Sequence, residues 1–230
     1  MKKIHLYITT LLLAFAVTSC SVDDTKPQGM LDQETAFQNP DNIVVAAYAA
    51  MGDDWYSYPF NLWPFGDVAS DDAFKGGSGT NDTNWHSVEV WSNLTAANPD
   101  HNDELWYHLY CAISRCNRAL VSLDQYGDSK LGSETTKQRI GEMKFIRAHF
   151  YFKLAELFYQ VPWCDESVML NDLVESTRND ELTHDQLMQK IVADFEEAYN
   201  VLPATQTDGG RVTKIAAAAY LAKCHLYMAY

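Results

Sequence analysis

The chain has 230 residues, of which 47% are hydrophobic and 13% aromatic, a composition typical of a folded protein with a packed core rather than of a disordered chain. Its 31 acidic residues outnumber its 17 basic residues and give a formal net charge of −14. This excess of negative charge excludes electrostatic binding to nucleic acid or to an anionic membrane surface.

The first twenty residues have the pattern of a bacterial lipoprotein signal. Two lysines precede an apolar run at residues 6–17, which is too short to span a bilayer as a helix. The sequence VTSC follows and resembles a lipobox, the motif whose cysteine is acylated and becomes the mature N-terminus. We therefore predict a signal peptide at residues 1–19 and lipidation of Cys20. An ordinary signal peptide with an incidental cysteine is the alternative.

Residues 20–30 contain acids, a proline and a glycine without hydrophobic periodicity, so we predict a tether between the lipid and a folded domain at residues 31–230. The first helix of that domain is predicted at residues 34–51, because apolar residues recur there at helical spacing and alanines permit close packing. Gly52 ends this helix.

Residues 53–102 show no sustained periodicity but are rich in aromatic side chains placed among Asp, Asn, Gly and Ser. These aromatic residues are Trp55, Tyr56, Tyr58, Phe60, Trp63, Phe65, Trp85 and Trp91. A long irregular segment of this kind is usually functional.

Helical periodicity returns afterwards and continues to the last residue. We predict four helices, at residues 103–123, 134–158, 183–202 and 214–230. Thr183 and the glutamine three residues later predict a capping box. Arg147 lies on the buried stripe of the second of these helices, so we expect an acidic or carbonyl partner for its guanidinium, because an unpaired buried charge is costly. No strand of comparable length competes, and the predicted fold class is all-α.

Four cysteines remain besides Cys20, and their spacings fit neither a redox motif nor a zinc site. They are Cys111, Cys116, Cys164 and Cys224. The first two lie about 140° apart around a helix axis, too divergent for a local disulfide. We predict buried free thiols.

The last helices resemble tetratricopeptide repeats. Residues 193–203, ADFEEAYNVLP, resemble the second helix of such a repeat, and residues 216–230 resemble a first helix. One hairpin cannot bury its apolar face alone, so hairpins stack. We predict a tetratricopeptide-like helical hairpin stack with a long irregular aromatic-rich region; a plain helical bundle is the alternative.

Four sequence blocks, in this order behind the lipobox, resemble the SusD/RagB family of outer-membrane nutrient-binding lipoproteins. They are GDVASDDAFKGG at 66–77, LWYHLYCAISRCNRAL at 105–120, GEMKFIRAHFYFKLAELFYQVPW at 141–163 and GGRVTKIAAAAYLAKCHLYMAY at 209–230. The resemblance covers essentially the whole chain but only the N-terminal half of a typical member. It implies that the chain is a fragment or a truncated product.

The resemblance implies a binding protein rather than a catalyst. Family members are lipid-anchored on the surface of the outer membrane, bind oligosaccharides and deliver them to a SusC-like TonB-dependent transporter. We accordingly predict no catalytic residue, no metal site and no cofactor. A peptide-binding or scaffold lipoprotein of an uptake complex is the alternative, because tetratricopeptide-like stacks often bind protein.

A candidate ligand site follows from the chemistry of sugars. Their C–H faces stack on exposed aromatic rings, and Asn and Asp side chains bond to their hydroxyl groups. One segment supplies both kinds of group, and its candidate ligand-binding residues are Asn81, Asp82, Asn84, Trp85 and Trp91. For Trp85, ligand stacking and anchoring of the loop both remain open, whereas Trp91 fits a structural role better.

Asp67, Asp71 and Asp72 form a carboxylate cluster, and glycosidases use two carboxylates. Adjacent acids of this kind are more typical of a helix cap or a turn. Ala69 stands where a calcium-binding loop of the EF-hand type needs a ligand. We therefore predict neither catalysis nor calcium binding here.

Overall fold

The computed structural model describes residues 32–52, 64–70, 72–77, 83–92, 100–171 and 173–230. The predicted signal peptide, Cys20 and the tether at residues 20–30 lie outside them. One compact unit ends at Ala36 and a second runs from Phe37 to Tyr230. Every helix in the described ranges is too short or too polar to cross a bilayer.

Helices make up the regular structure of the described residues, which contain no strand. The α-helices are α1 (Gln33–Phe37), α2 (Pro40–Ala49), α3 (Thr83–Glu89), α4 (Asp100–Ser122), α5 (Asp128–Leu131), α6 (Ser133–Phe158), α7 (Glu166–Leu170), α8 (His184–Val201) and α9 (Lys214–Met228). Two π-helical turns lie at Pro64–Val68 and Leu123–Gly127, and a 3-10 turn at Val174–Ser176. The all-α prediction is confirmed.

The prediction of one helix at residues 34–51 is wrong, because the helix is interrupted between α1 and α2. Asn39 leaves the helical conformation with φ −121° and ψ 69°. The ring of Pro40 causes this break, since proline disfavours helical geometry in the residue before it. Pro40 itself lies in the first turn of α2, where its missing N–H costs nothing.

The other helices agree with the sequence pattern. The α6 helix ends at Phe158 as predicted, and α4 begins at Asp100, three residues before the predicted start. The capping box of α8 is confirmed: Gln186 N–H donates to the Thr183 hydroxyl (3.2 Å), and Thr183 N–H donates to the Gln186 side chain (2.9 Å). Two short helical segments, Pro64–Val68 and α3, interrupt the region predicted as irregular.

Consecutive long helices pack on one another, α4 on α6, α6 on α8 and α8 on α9, in the nearest-neighbour order of a repeat stack. Their buried side chains form one core that includes Leu109, Ile113, Met143, Ile146, Phe150, Tyr151, Leu154, Leu187, Ile191 and Phe195. Gly141 permits the close approach of α6 to the end of α8, since a Cβ there would lie 2.4 Å from Val201 Cγ2.

Arg147 has the acidic partner that the sequence leads us to expect. The side chain is 2% exposed, and its Nε and Nη2 donate to the two carboxylate oxygens of Asp194 at 2.7 and 2.8 Å. Its Nη1 donates to Asn117 Oδ1 (2.9 Å) and to the Glu166 carboxylate. The Trp163 ring lies 5.4 Å from the guanidinium carbon. This buried group therefore joins α4, α6, α7 and α8.

A second buried ionic group centres on Glu142, whose side chain is fully buried. Its carboxylate accepts hydrogen bonds from Arg139 (2.8 Å), Arg211 (2.9 Å) and Gln206 (3.0 Å). Asp41 of α2 also bonds to Arg139 at 2.7 Å and lies 3.7 Å from Arg211. The group thus ties α2 and α6 to the segment that leads into α9.

The four cysteines of the described domain are free thiols, as predicted. Cys116 and Cys224 are buried, whereas Cys111 and Cys164 are partly buried. Burial raises the pKa of both Cys116 and Cys224 to about 12, so these two thiols stay protonated and unreactive at neutral pH.

Candidate functional site

Two segments of the aromatic-rich region lie together in the structure. Helix α3 contacts the π-helical turn Pro64–Val68. Ser87 and Val88 of α3 are buried, as is Val68 at the end of the turn. These small buried side chains fix the position of Ala69, which directly follows the turn, and of Trp91, which lies two residues after the end of α3.

Trp91 links the two segments through its indole. Its Nε1–H donates to the carbonyl oxygen of Ala69 at 2.9 Å, and its backbone N–H donates to Val88 O at 3.3 Å. The side chain is nevertheless 71% exposed. The hydrogen bond anchors the edge of the indole while the ring faces remain accessible to a ligand.

The backbone of Trp91 is strained. Its φ of +52° lies in the left-handed region, which non-glycine residues rarely adopt. Such a conformation costs about 1–3 kcal/mol and persists where the surrounding structure holds it, often at binding sites. An exposed tryptophan in this conformation gains little from burial, so its ring is a candidate stacking surface.

The other predicted ligand-binding residues lie in or beside the same segment. Asn84 and Trp85 are in the first turn of α3, and Trp91 follows the last turn by two residues. Asn81 and Asp82 lie outside the described residues. Of the five candidates, the structure describes the backbone of Asn84 and Trp85 and the whole of Trp91, so a joint binding role stays a prediction.

Phe74 is an exposed aromatic residue that is not among the sequence candidates. It is 68% exposed and is followed by Gly76 and Gly77, whose φ angles are +79° and +67°. An aromatic residue beside a double-glycine turn is the sequence signal that could have singled it out, because turns and loops run over the protein surface.

The turn that contains the acidic cluster is closed by a backbone carbonyl group. The carbonyl oxygen of Asp67 accepts from Ala73 N–H (3.0 Å) and from the Ser70 hydroxyl (3.1 Å). Both Asp67 and Asp72 are exposed, and Asp71 lies outside the described residues. The predicted turn-stabilising pair is Asp71 and Asp72, which is only half described, so it stays a prediction.

A family model, SusD-like, described as "Starch-binding associating with outer membrane", matches residues 24–226. Among curated proteins, the SusD-like protein P2 of Formosa agariphila is 26% identical over 98% of this chain and 43% of its own length. The SusD-like protein of Bacteroides ovatus is 23% identical over 98% of this chain and 39% of its own length. The chain therefore spans about two fifths of the length of these relatives.

Solved structures show the same helical arrangement. A laminarin-binding SusD-like protein superposes with a TM-score of 0.67 and 25% identity, covering 82% of this chain and 40% of its own. Surface glycan-binding protein A from Bacteroides uniformis superposes with a TM-score of 0.67 and 25% identity, covering 83% of this chain and 42% of its own. These similarities confirm the predicted tetratricopeptide-like hairpin stack.

Proposed function

Because the chain belongs to the SusD-like family, we propose that it is a surface lipoprotein that binds oligosaccharides and delivers them to a partner TonB-dependent outer-membrane transporter. It acts by binding, without catalysis. The relatives named as laminarin-binding and glycan-binding support carbohydrate as the ligand class, and the family description supports the outer membrane as the location.

The exposed ring of Trp91 is the observation that carries the carbohydrate proposal. A sugar ring is uncharged and has an apolar C–H face, so it suits a fixed, accessible indole. The Asn and Asp residues at positions 81–84, seven to ten residues earlier in the sequence, have the donor and acceptor groups that hydroxyl groups need. The net charge of −14 disfavours acidic polysaccharides as ligands.

Delivery to the transporter follows from lipidation at Cys20. The acidic tether at residues 20–30 would keep the binding domain within a short distance of a transporter in the same membrane. A short flexible linker of this kind raises the effective concentration of the binding domain at the transporter to about the millimolar range.

Replacing Trp91 with alanine is expected to weaken binding to a recognised polysaccharide by about tenfold, because the stacking contact is lost. Affinity electrophoresis of the purified chain against amylopectin and laminarin measures this, followed by calorimetry with oligosaccharides of whichever one binds. Trp91→Phe keeps an aromatic face but loses the bond to Ala69, so we expect an intermediate affinity.

Tyr107→Ala is the matched control for Trp91→Ala, because Tyr107 is a similarly exposed aromatic residue, at 64%, on α4. Its removal should leave the affinity unchanged. Equal weakening by both variants would contradict a site at Trp91. Binding of peptides without binding of any polysaccharide would contradict the carbohydrate proposal and support the peptide-binding alternative.

Replacing Cys20 with alanine is expected to leave glycan affinity within error of the unmodified chain and to abolish growth that depends on uptake of that glycan. The physical reason is that the lipid supplies the membrane attachment and takes no part in the binding site. Calorimetry on the purified variant measures the glycan affinity, and growth of the producing bacterium on the glycan measures uptake. Loss of affinity in the variant would contradict this division of roles.

A further inference from the structure

A cavity of about 290 Å³ lies where the C-terminal ends of α6 and α9 meet the N-terminal end of α8. Its lining includes Phe152, Glu156, Tyr159, His184, Met188 and Tyr227. None of these residues belongs to the segment that carries Trp91. The volume is near the lower end of small-molecule sites, about 300–1,000 Å³, so the cavity has room for one ring-sized ligand.

Tyr159 and His184 form a flat aromatic platform at this cavity. Their ring centroids are 4.3 Å apart and their planes differ by 4°. His184 is held in place because its Nδ1–H donates to the carbonyl oxygen of Tyr159 at 2.7 Å. Tyr159 is 64% exposed even though the imidazole covers one face of its ring, which leaves the opposite face accessible.

The backbone of Tyr159 is strained in a way that the platform explains. Its φ of +63° and ψ of −63°, with a hydrogen bond from Gln160 N–H to the Phe158 carbonyl oxygen (2.7 Å), define the rare positive-φ γ-turn. Glycine adopts a positive φ without cost, whereas tyrosine does not. Strain of this kind clusters at sites that clamp a ligand.

The polar groups beside the cavity carry both signs of charge. Lys223 Nζ lies 3.5 Å from Glu156 Oε1 and 4.5 Å from the centre of the Phe152 ring. Glu156 also attracts the Lys153 ammonium and raises the pKa of the Tyr227 hydroxyl. Because one carboxylate is accompanied by two ammonium groups, the site disfavours a cationic ligand. Hydroxyl groups of a ligand would find an acceptor in the Glu156 carboxylate and a second partner in the Tyr227 hydroxyl.

We propose that this cavity binds one sugar ring, with a C–H face stacked on the accessible face of Tyr159 and hydroxyl groups bonded to Glu156 and Tyr227. The inference rests on the proposed function only for the presence of carbohydrate at this protein. The site itself follows from the platform, the strained turn and the polar groups of Glu156 and Tyr227. It is a second carbohydrate contact on the helical scaffold, apart from the segment at residues 83–92.

An NMR titration of the full chain with methyl glycosides of glucose, galactose, mannose, xylose and N-acetylglucosamine tests the proposal. At least one of them should shift the ring signals of Tyr159 and His184 with a millimolar Kd. Tyr159→Gly should raise that Kd by about tenfold or more, since the stacking surface is gone. Glycine fits the backbone of this turn, so the variant keeps its fold. Tyr159→Phe keeps the ring and should change the Kd by less than about threefold.

Two results would overturn the proposal: no glycoside shifts the two ring signals, whether or not methylguanidinium does, or Tyr159→Gly binds as tightly as the unmodified chain. Glycoside-induced shifts confined to residues 83–92 would contradict this second site without contradicting the proposed function. Shifts at Tyr159 that persist in Trp91→Ala would support the second site independently of the first.

Discussion

Replacing Arg147 with methionine lowers the free energy of unfolding by about 3–5 kcal/mol, the range expected when one member of a buried ion pair is removed. Methionine fills part of the space, but Asp194 loses two hydrogen bonds at 2.7 and 2.8 Å in a position that is 6% exposed. In the described part of the chain, Lys144 would then be the remaining cationic partner of the Asp194 and Glu166 carboxylates, 3.5 Å from each. Urea unfolding followed by circular dichroism measures the change.

Two further variants decide whether the buried charge is the cause. Arg178→Met removes an arginine whose pair with Asp180 is exposed, and it should leave the free energy of unfolding unchanged within error. The double variant Arg147→Met with Asp194→Leu should be less destabilised than Arg147→Met alone, because the unpaired buried carboxylate is removed as well. If the double variant were at least as unstable as Arg147→Met, lost packing would explain the decrease in the free energy of unfolding, and the unpaired carboxylate would not.

The partner of Arg147 shows where sequence reasoning succeeds and where it stops. The helical period places this arginine on the buried stripe of α6, and the cost of an unpaired charge requires a partner. The identity of that partner depends on how α6 packs on α8, 47 residues further along the chain. The helical period of α8 places Asp194 closer to its buried stripe than Glu196 or Glu197, but only the packing of α6 on α8 pairs it with Arg147.

The break before Pro40 is a local effect that the hydrophobic period conceals. Apolar residues recur at helical spacing on both sides of the proline, so periodicity alone predicts one helix from residue 34 to residue 51. The constraint that proline places on Asn39 is independent of that period and takes precedence over it. The apolar period and the proline are both visible in the sequence. The restriction that the proline places on Asn39 is the one that decides where the helix is interrupted.

The candidate site was less predictable than the fold, because exposure depends on tertiary structure. Tryptophan is largely buried in most proteins, so Trp91 reads as structural from sequence alone. The structure shows an exposed ring fixed by a hydrogen bond to Ala69, 22 residues earlier. Tyr159 is similar: its sequence context, just before Val161-Pro162, marks the end of α6, but gives no sign that its ring stacks on His184.

The two buried ionic groups stabilise different parts of the helical scaffold. The Arg147 group lies among α4, α6, α7 and α8, whereas the Glu142 group ties α2 and α6 to the segment before α9. That segment contains the Gly-Gly-Arg sequence of the family-like block at residues 209–230. Arg211 therefore has a structural role, since its guanidinium bonds to a buried carboxylate.

Replacing Glu142 with glutamine should lower the free energy of unfolding by about 3 kcal/mol, near the lower end of the cost of breaking a buried ion pair. One carboxylate oxygen accepts from Arg139 and Gln206 and the other accepts from Arg211. Glutamine keeps the size of the side chain but replaces one of these acceptor oxygens with an NH₂ group. The NH₂ group would then face another donor, from Arg139, Gln206 or Arg211, and could not bond to it. Urea unfolding measures the loss.

Hydrogen exchange locates where the Glu142→Gln variant loosens. The Val212 amide, which donates to the Tyr48 hydroxyl at 3.0 Å, should lose protection together with the first amides of α9, because Arg211 no longer fixes that segment. Asp41→Asn is the matched control: it neutralises an acid that pairs with the same two arginines but is 41% exposed, and it should cost less than about 1 kcal/mol. Equal losses from the two variants would mean that the charge of the group matters and its burial does not, and the structural role assigned to Glu142 would then be wrong.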